Sequence, residues 1–230
     1  MRTQSSGLPR NGFSILEILV ASAVVLILAG LLTSTMMTVR KKAERAACLN
    51  NLRQLSVATV GFTQENGGYM PDLNWWAQEL LPYVPSRGPR RDVFWCPSAT
   101  QQECPVDASR TLSVYPDNKL IPISYGINGN YPSNNGQILV GNRGTRNPER
   151  RILTVPQPQR VVLYLDQSGG YANIFFDTYD RFSRRHATSS DPQRMQLNAA
   201  FVDGHVEPID MTYNTNPRSP WRGAFDAVWQ

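Results

Sequence analysis

Apolar positions are spread unevenly along the chain. Between Arg10 and Arg40 there is no Lys or Arg, and Glu17 is the only acid. Ile15 to Leu32 is otherwise almost wholly apolar, broken by Ser22 and Gly30. About 20 apolar residues rising ~1.5 Å each cross a ~30 Å hydrocarbon core, so this run is long enough to span. A secretory signal peptide has a shorter apolar stretch, about 7–15 residues, followed by a small-residue cleavage site. Here Thr33 to Val39 runs on without a break. The pattern predicts one N-terminal membrane helix over residues 13–38, in preference to a buried core helix.

The helical pattern continues beyond the membrane run. Residues 40–66 contain no Pro and only Gly61. Cys48, Leu52, Leu55, Thr59 and Phe62 fall at steps of four, three, four and three, which places them on one face. Lys41, Lys42, Glu44, Arg45 and Arg53 are assigned mostly off that stripe. Gly67-Gly68 and Pro71 end the helix. The result is one long helix, residues 13–66, apolar all round in its first half and amphipathic in its second.

Residues 67–230 have a different character, with most of the Pro and Gly and short apolar runs between turn signals. Val161 to Leu165 and Ala199 to Val202 are the clearest strands. Asp203-Gly204 then leads into His205 to Ile209, a hairpin signal in which both turn residues would take positive φ. That register puts Val202 opposite His205 and Phe201 opposite Val206. Asn128-Gly129-Asn130 and Ser133 to Gly136 read as loops. The fold class expected is α+β: a long N-terminal helix packed on a small, loop-rich antiparallel β-sheet head.

Composition sharpens this only in part. The chain has 230 residues, 41% hydrophobic and 18% charged, which suits one domain plus an appendage and excludes a disordered tail. Its mean hydropathy of −0.36 suggests a soluble protein, but that figure averages an apolar stem with a polar head. The net charge of +5 is concentrated first at Arg40, Lys41, Lys42 and Arg45, directly after the membrane run, where lipid headgroups are the nearest partners. Arg143, Arg146, Arg150 and Arg151 form a looser group without interleaved aromatics, read as a solvated loop. Nucleic acid is not an expected partner.

Three cysteines are too few for a disulfide-dense scaffold. Cys96 and Cys104 lie in a Pro-rich loop and could be bridged if the head is outside the cytoplasm, or both be free. Cys48, on the apolar helical face, reads as a small buried hydrophobe. The Cys/His spacing offers no close pairs for zinc. The two histidines, His186 and His205, lie near Asp203 in sequence and not far from Asp166, Asp177, Asp180 and Asp191. A metal-dependent enzyme using His186, Asp203 and His205 is conceivable on these grounds. No motif organises such chemistry, so no catalytic residue, ligated metal or cofactor is assigned. Structural calcium held by loop carboxylates and carbonyls is the one metal left open.

The N-terminus carries a resemblance. Gly12-Phe13-Ser14-Ile15-Leu16-Glu17, after a leader with Arg2 and Arg10, resembles the type IV prepilin processing signal. The resemblance implies a leader peptide of residues 1–12, cleavage between Gly12 and Phe13 by a prepilin peptidase, methylation of Phe13 by the same enzyme, and an assembly role for Glu17. Further landmarks are similar to the pseudopilin branch with a processing-associated C-terminal domain. They are Cys48 to Leu55, Asn66 to Pro71, Cys96-Pro97-Ser98, Ser124 to Asn128, and His186 followed by Asp203-Gly204-His205. Sixteen residues, Ala187 through Val202, separate that His from the Asp, more than the family usually places there. A loop insertion near Ser189 to Arg194 follows.

The implied protein is a structural pilin-like subunit, not an enzyme, of a type II secretion or type IV pilus-like filament. Its partners would be the prepilin peptidase/methyltransferase, other pilin-like subunits and an inner-membrane assembly platform. It would be a single-pass inner-membrane protein with its head in the periplasm. Basic residues after the membrane run outnumber the leader arginines, which taken alone favours the opposite orientation; the processing signal outweighs this. The alternative is a membrane-anchored extracytoplasmic protein that binds a polysaccharide or other exported substrate. Trp75, Trp76, Trp95, Trp221 and Trp229 could line its surface, although core positions suit most of them.

Overall fold

The computed structural model describes residues 14–85, 93–105, 120–129, 151–155, 157–169, 173–174, 182–186, 194–213 and 221–223. Helix α1 runs from Ile15 to Glu65 as one element of 51 residues. It opens with a capping box: the Ser14 hydroxyl accepts the Leu16 N–H at 3.3 Å, and the Glu17 carboxylate accepts the Ser14 N–H at 2.9 Å. It closes on Gly67 and Gly68, at φ of 65° and 85°, with the Gly68 N–H donating to the Thr63 carbonyl at 2.7 Å. That is the six-to-one bond of a Schellman end, which needs a left-handed residue and so a glycine.

The chain divides into two units, Met1–Lys42 and Ala43–Gln230. In the first, the helix carries its apolar side chains outward: Ile15, Leu26 and Met36 are 79%, 72% and 73% exposed. This stretch is long and apolar enough to cross a membrane, judged by length and composition.

The second unit is α+β. Among the described residues, six strands pair in the order β3-β1-β2-β4-β5-β6, with β1 Tyr125–Asn128, β2 Val162–Asp166, β3 Asn173–Ile174, β4 Arg194–Phe201, β5 Val206–Tyr213 and β6 Trp221–Gly223. Strands β1, β2, β4 and β5 form an antiparallel core, and β3 joins its edge in parallel to β1. The stripe Cys48, Leu52, Leu55 and Thr59 is fully buried, and Phe62 packs at its margin. Helix and sheet meet through hydroxyls as well as hydrocarbon. The Thr59 hydroxyl lies 2.7 Å from that of Tyr164, Asn51 donates to the Tyr125 hydroxyl, and Tyr125 donates to the Cys48 carbonyl. The buried hydroxyls of Thr59, Tyr125 and Tyr164 thereby keep partners, as burial requires. A short helix α2, Trp76–Leu80, supplies Trp76, whose ring lies 5.0 Å from Tyr164 and 5.7 Å from Phe94.

Four local expectations are revised. The hairpin pairs Ala200 with Val206, so the loop is longer than two residues and the register shifts by one. The cause is conformational: only Gly204 takes positive φ, 90°, while Asp203 does not, so the two-residue primed turn cannot form. Asn128 belongs to β1, where its side chain donates to the Val162 carbonyl, instead of opening a loop. Arg194 begins β4, so it is not part of an insertion; residues 187–193 lie outside the described residues, as do 130–150. Arg151 is not merely solvated, since its guanidinium sits 4.9 Å over the Tyr69 ring.

Candidate functional site

The chemistry-bearing residues fall into two places. At the tip of the β4–β5 hairpin, His205 Nδ1 lies 2.5 Å from Asp203 Oδ1, and the His205 ring stacks on Phe201 with centroids 4.1 Å apart. Both polar side chains are more than 30% exposed. Asp203 also accepts the His205 N–H, so its carboxylate organises the turn. His186 is elsewhere. It contacts Cys96 and Asp166, and Asp166 in turn accepts the Asn198 N–H. Phe201 is three residues along β4 from Asn198, about 10 Å, and Asp203 lies beyond it. The described contacts therefore do not gather His186, Asp203 and His205 into one site.

The second place is a buried knot of sulfur, imidazole and charge. Cys48 of α1 is bonded to Cys96, with Cα atoms 5.0 Å apart, and Cys104 is a buried thiol outside that disulfide. This replaces the Cys96–Cys104 bridge weighed from the sequence. The helical stripe brings Cys48 to Cys96, whereas Cys104 faces the Gln167 carbonyl and the Arg185 guanidinium, both at 3.3 Å. The segment holding Cys96 is itself fixed, because the Cys96 N–H donates to Ser124 Oγ at 2.6 Å and the Ser124 N–H donates to the Phe94 carbonyl.

His186 Nε2 lies 3.4 Å from Cys96 Sγ and 3.7 Å from Asp166 Oδ2. Arg185 reaches Glu103 at 3.2 Å and also donates to the Gln167 carbonyl. Arg45 donates to Gln196 at 2.6 Å and to Asn198 at 3.3 Å. Arg45 thus belongs to the head and not to a lipid-facing belt, because it sits three residues before Cys48 and so on the same face. Extending the stripe by one step would have found it. Burial and distance hid Asn198, Glu103 and Arg185 more thoroughly, since no spacing rule links them to Cys48.

Burial pushes the Asp166 carboxyl up to about 6, against the opposing pull of Arg185 and the Asn198 N–H. Burial, then Arg185 and Arg45, pushes the His186 imidazole down to about 4. Near neutrality Asp166 is charged and His186 neutral; near pH 5 both are mostly neutral. Their contact is thus not an ion pair. Arg185 keeps its charge, because Asp166, Cys104 and Glu103 outweigh the desolvation that opposes it.

Of the other expected site residues, Glu17 is the capping-box acceptor described above, and Gly12 and Phe13 lie outside the described residues. Trp76 and Trp95 are buried, so they do not line a binding surface, and Trp75 is half-buried. The Cys/His spacing had argued against a cluster with metal-binding chemistry, yet Cys48, Cys96 and His186 place their donor atoms within 4.8 Å of one another. Segments far apart in sequence converge here, which local spacing does not register.

Two outcomes follow. The Cys48–Cys96 bond spans 48 residues, for which the chain-entropy model gives about 4 kcal/mol of stabilisation, against ~2.5 for the short loop between Cys96 and Cys104. Replacing Cys48 and Cys96 together by Ala should lower the unfolding free energy of the detergent-solubilised chain by about 4 kcal/mol. Cys104→Ala should cost clearly less in the same urea titration.

The second outcome concerns pH. Asp166 holds its proton more tightly when folded than when unfolded, so its contribution is lost as pH rises from 3.8 to about 6. His186 rejects its proton when folded, so its contribution is lost as pH falls from 6.5 to about 4. These slopes oppose each other, and the wild-type urea midpoint should vary little from this pair between pH 4 and 6. Asp166→Asn should leave a midpoint that climbs with pH across that window, and His186→Gln one that declines. Parallel profiles in the two variants would contradict the assignment.

No protein-family model, curated protein or solved structure matches this chain.

Proposed function

We propose that the chain is a structural pilin-like subunit, processed after Gly12 and assembled through its N-terminal helix into a type II secretion or type IV pilus-like filament. The observation that carries this reading is the continuous 51-residue α1, which follows Gly12-Phe13-Ser14 directly and holds Glu17 in its first turn. Its first part exposes apolar side chains and its last part is the buried spine of an α+β head. A stem that packs against like stems and a head carried on it is what a filament subunit needs.

Glu17 supplies the registry. An acid in a membrane helix costs up to about 2.5–3.5 kcal/mol near the bilayer centre, falling toward the interface. Cleavage before Phe13 creates an amine that can pair with Glu17 of a neighbouring subunit, offsetting that cost at one stagger only. Desolvation takes back much of the gain, so the pair contributes register more than affinity. Prepilin peptidase, other pilin-like subunits and an assembly platform are the partners this reading requires.

The disulfide supports an extracytoplasmic head, because such bonds persist in oxidising compartments. Arg45 bonded into the head also removes one charge from the basic belt that had favoured the reverse orientation. The buried Trp76 and Trp95 weigh against the alternative of a carbohydrate-binding surface built from tryptophans.

The test is N-terminal mass analysis of the membrane-extracted chain from a host with the peptidase, paired with cross-linking of Glu17→Gln. The mature chain should begin at N-methylated Phe13. Gln at position 17 can still close the capping box, yet it lacks the charge, so subunit cross-links should fall severalfold while the helix persists. An intact Met1 terminus would overturn the processing, and unchanged cross-links in Glu17→Gln would overturn the registry role.

A further inference from the structure

We propose that Cys48, Cys96 and His186, completed by Asp166, form a zinc(II) site when the disulfide is reduced, so that a metal replaces the covalent clamp. This goes beyond the filament reading and does not depend on it.

The donor set has the right chemistry. Zinc takes thiolate sulfur at ~2.3 Å, imidazole nitrogen at ~2.0–2.1 Å and carboxylate oxygen at ~2.0–2.2 Å in a tetrahedron. Those bond lengths put neighbouring donors about 3.3–3.8 Å apart. Cys96 Sγ and His186 Nε2 are already 3.4 Å apart, and His186 Nε2 and Asp166 Oδ2 are 3.7 Å apart. The two sulfurs must separate to about 3.8 Å, by rotating on Cα atoms 5.0 Å apart, and Asp166, which stands outside the group of donors lying within 4.8 Å of one another, must close on them.

A second observation points to a ligand. Asp166 is 0% exposed, and among the described residues its Oδ1 has no hydrogen-bond partner, while Oδ2 accepts the Asn198 N–H. A fully buried carboxylate with one oxygen unused is costly unless something pairs with it. The Asp166 carboxylate is the fourth ligand, with Oδ2 facing His186 Nε2, and the Asn198 N–H orients the group as an outer-shell partner does. Arg45, bonded to Asn198, and Arg185 add positive charge around a site whose three anionic ligands exceed the charge of the ion.

The steps balance. A small dithiol reductant gives two electrons and two protons to the Cys48–Cys96 bond, becoming a cyclic disulfide and leaving two thiols. Zinc(II) then displaces the two thiol protons to solvent and binds the two thiolates, with no further change of oxidation state. A small disulfide oxidant then takes two electrons from the two thiolates and two protons from solvent, leaving as two thiols, while the S–S bond re-forms and zinc(II) departs unchanged. Either way α1 stays cross-linked to the 93–105 segment.

The full chain in detergent, reduced with a phosphine that is then removed, is titrated with zinc(II) against a chromophoric chelator while its fold is followed by circular dichroism. One zinc per chain is expected after reduction and none in the oxidised chain. His186→Gln should weaken binding at least tenfold, and Cys104→Ser should leave it unchanged. If reduction loosens the fold, zinc should restore the helical signal. Equal uptake by oxidised and reduced chains, unchanged uptake in His186→Gln, loss in Cys104→Ser, or a loosened fold that zinc does not restore would each overturn the site.

Discussion

Cys48 and Cys96 are 48 positions apart and covalently joined, and that bond sets where α1 lies in the head. The helix is amphipathic in its second half, and a hydrophobic face alone tolerates sliding, because burial is not directional. The bond removes that freedom at one residue. Its neighbours then add directional contacts at matching heights: Asn51 to the Trp95 carbonyl, Tyr125 to the Cys48 carbonyl, and Thr59 to Tyr164. Without the link, those hydroxyl and amide contacts would have to hold the register by themselves, at about 1 kcal/mol each.

The same junction concentrates buried polarity. Arg45, Asp166, Arg185 and Asn198 each have a buried atom without a partner among the described residues, and all belong to the network around His186. Clustering of that kind is unusual, since native interiors satisfy nearly all such atoms. Opposed displacements of Asp166 and His186 keep the network from becoming a simple ion pair. Its electrostatics are organised around the sulfurs, at the one place where helix, loop and sheet converge.

Much of this architecture was legible in the chain. The apolar run, the stripe from Cys48 to Phe62 and the Gly67-Gly68 stop define α1 to within two residues of its observed ends. Local signals sufficed there because helix periodicity and capping act over a few residues. The hairpin was placed correctly but misregistered, because Asp-Gly admits more than one turn and only the backbone at Asp203 decides between them. Disulfide pairing failed for a different reason. Proximity in sequence suggested Cys96 with Cys104, while the true partner is set by which helical face meets which loop. His186 with Asp166 was visible as a loose grouping; its contact with Cys96 was not.

The central claim is that α1 is covalently tied to the head through Cys48. Peptide mapping of the unreduced, alkylated chain by mass spectrometry tests it most directly. A cross-linked peptide pair containing Cys48 and Cys96, with Cys104 alkylated, is the predicted result. A Cys96–Cys104 link with alkylated Cys48 would contradict the account, and with it the site built around His186.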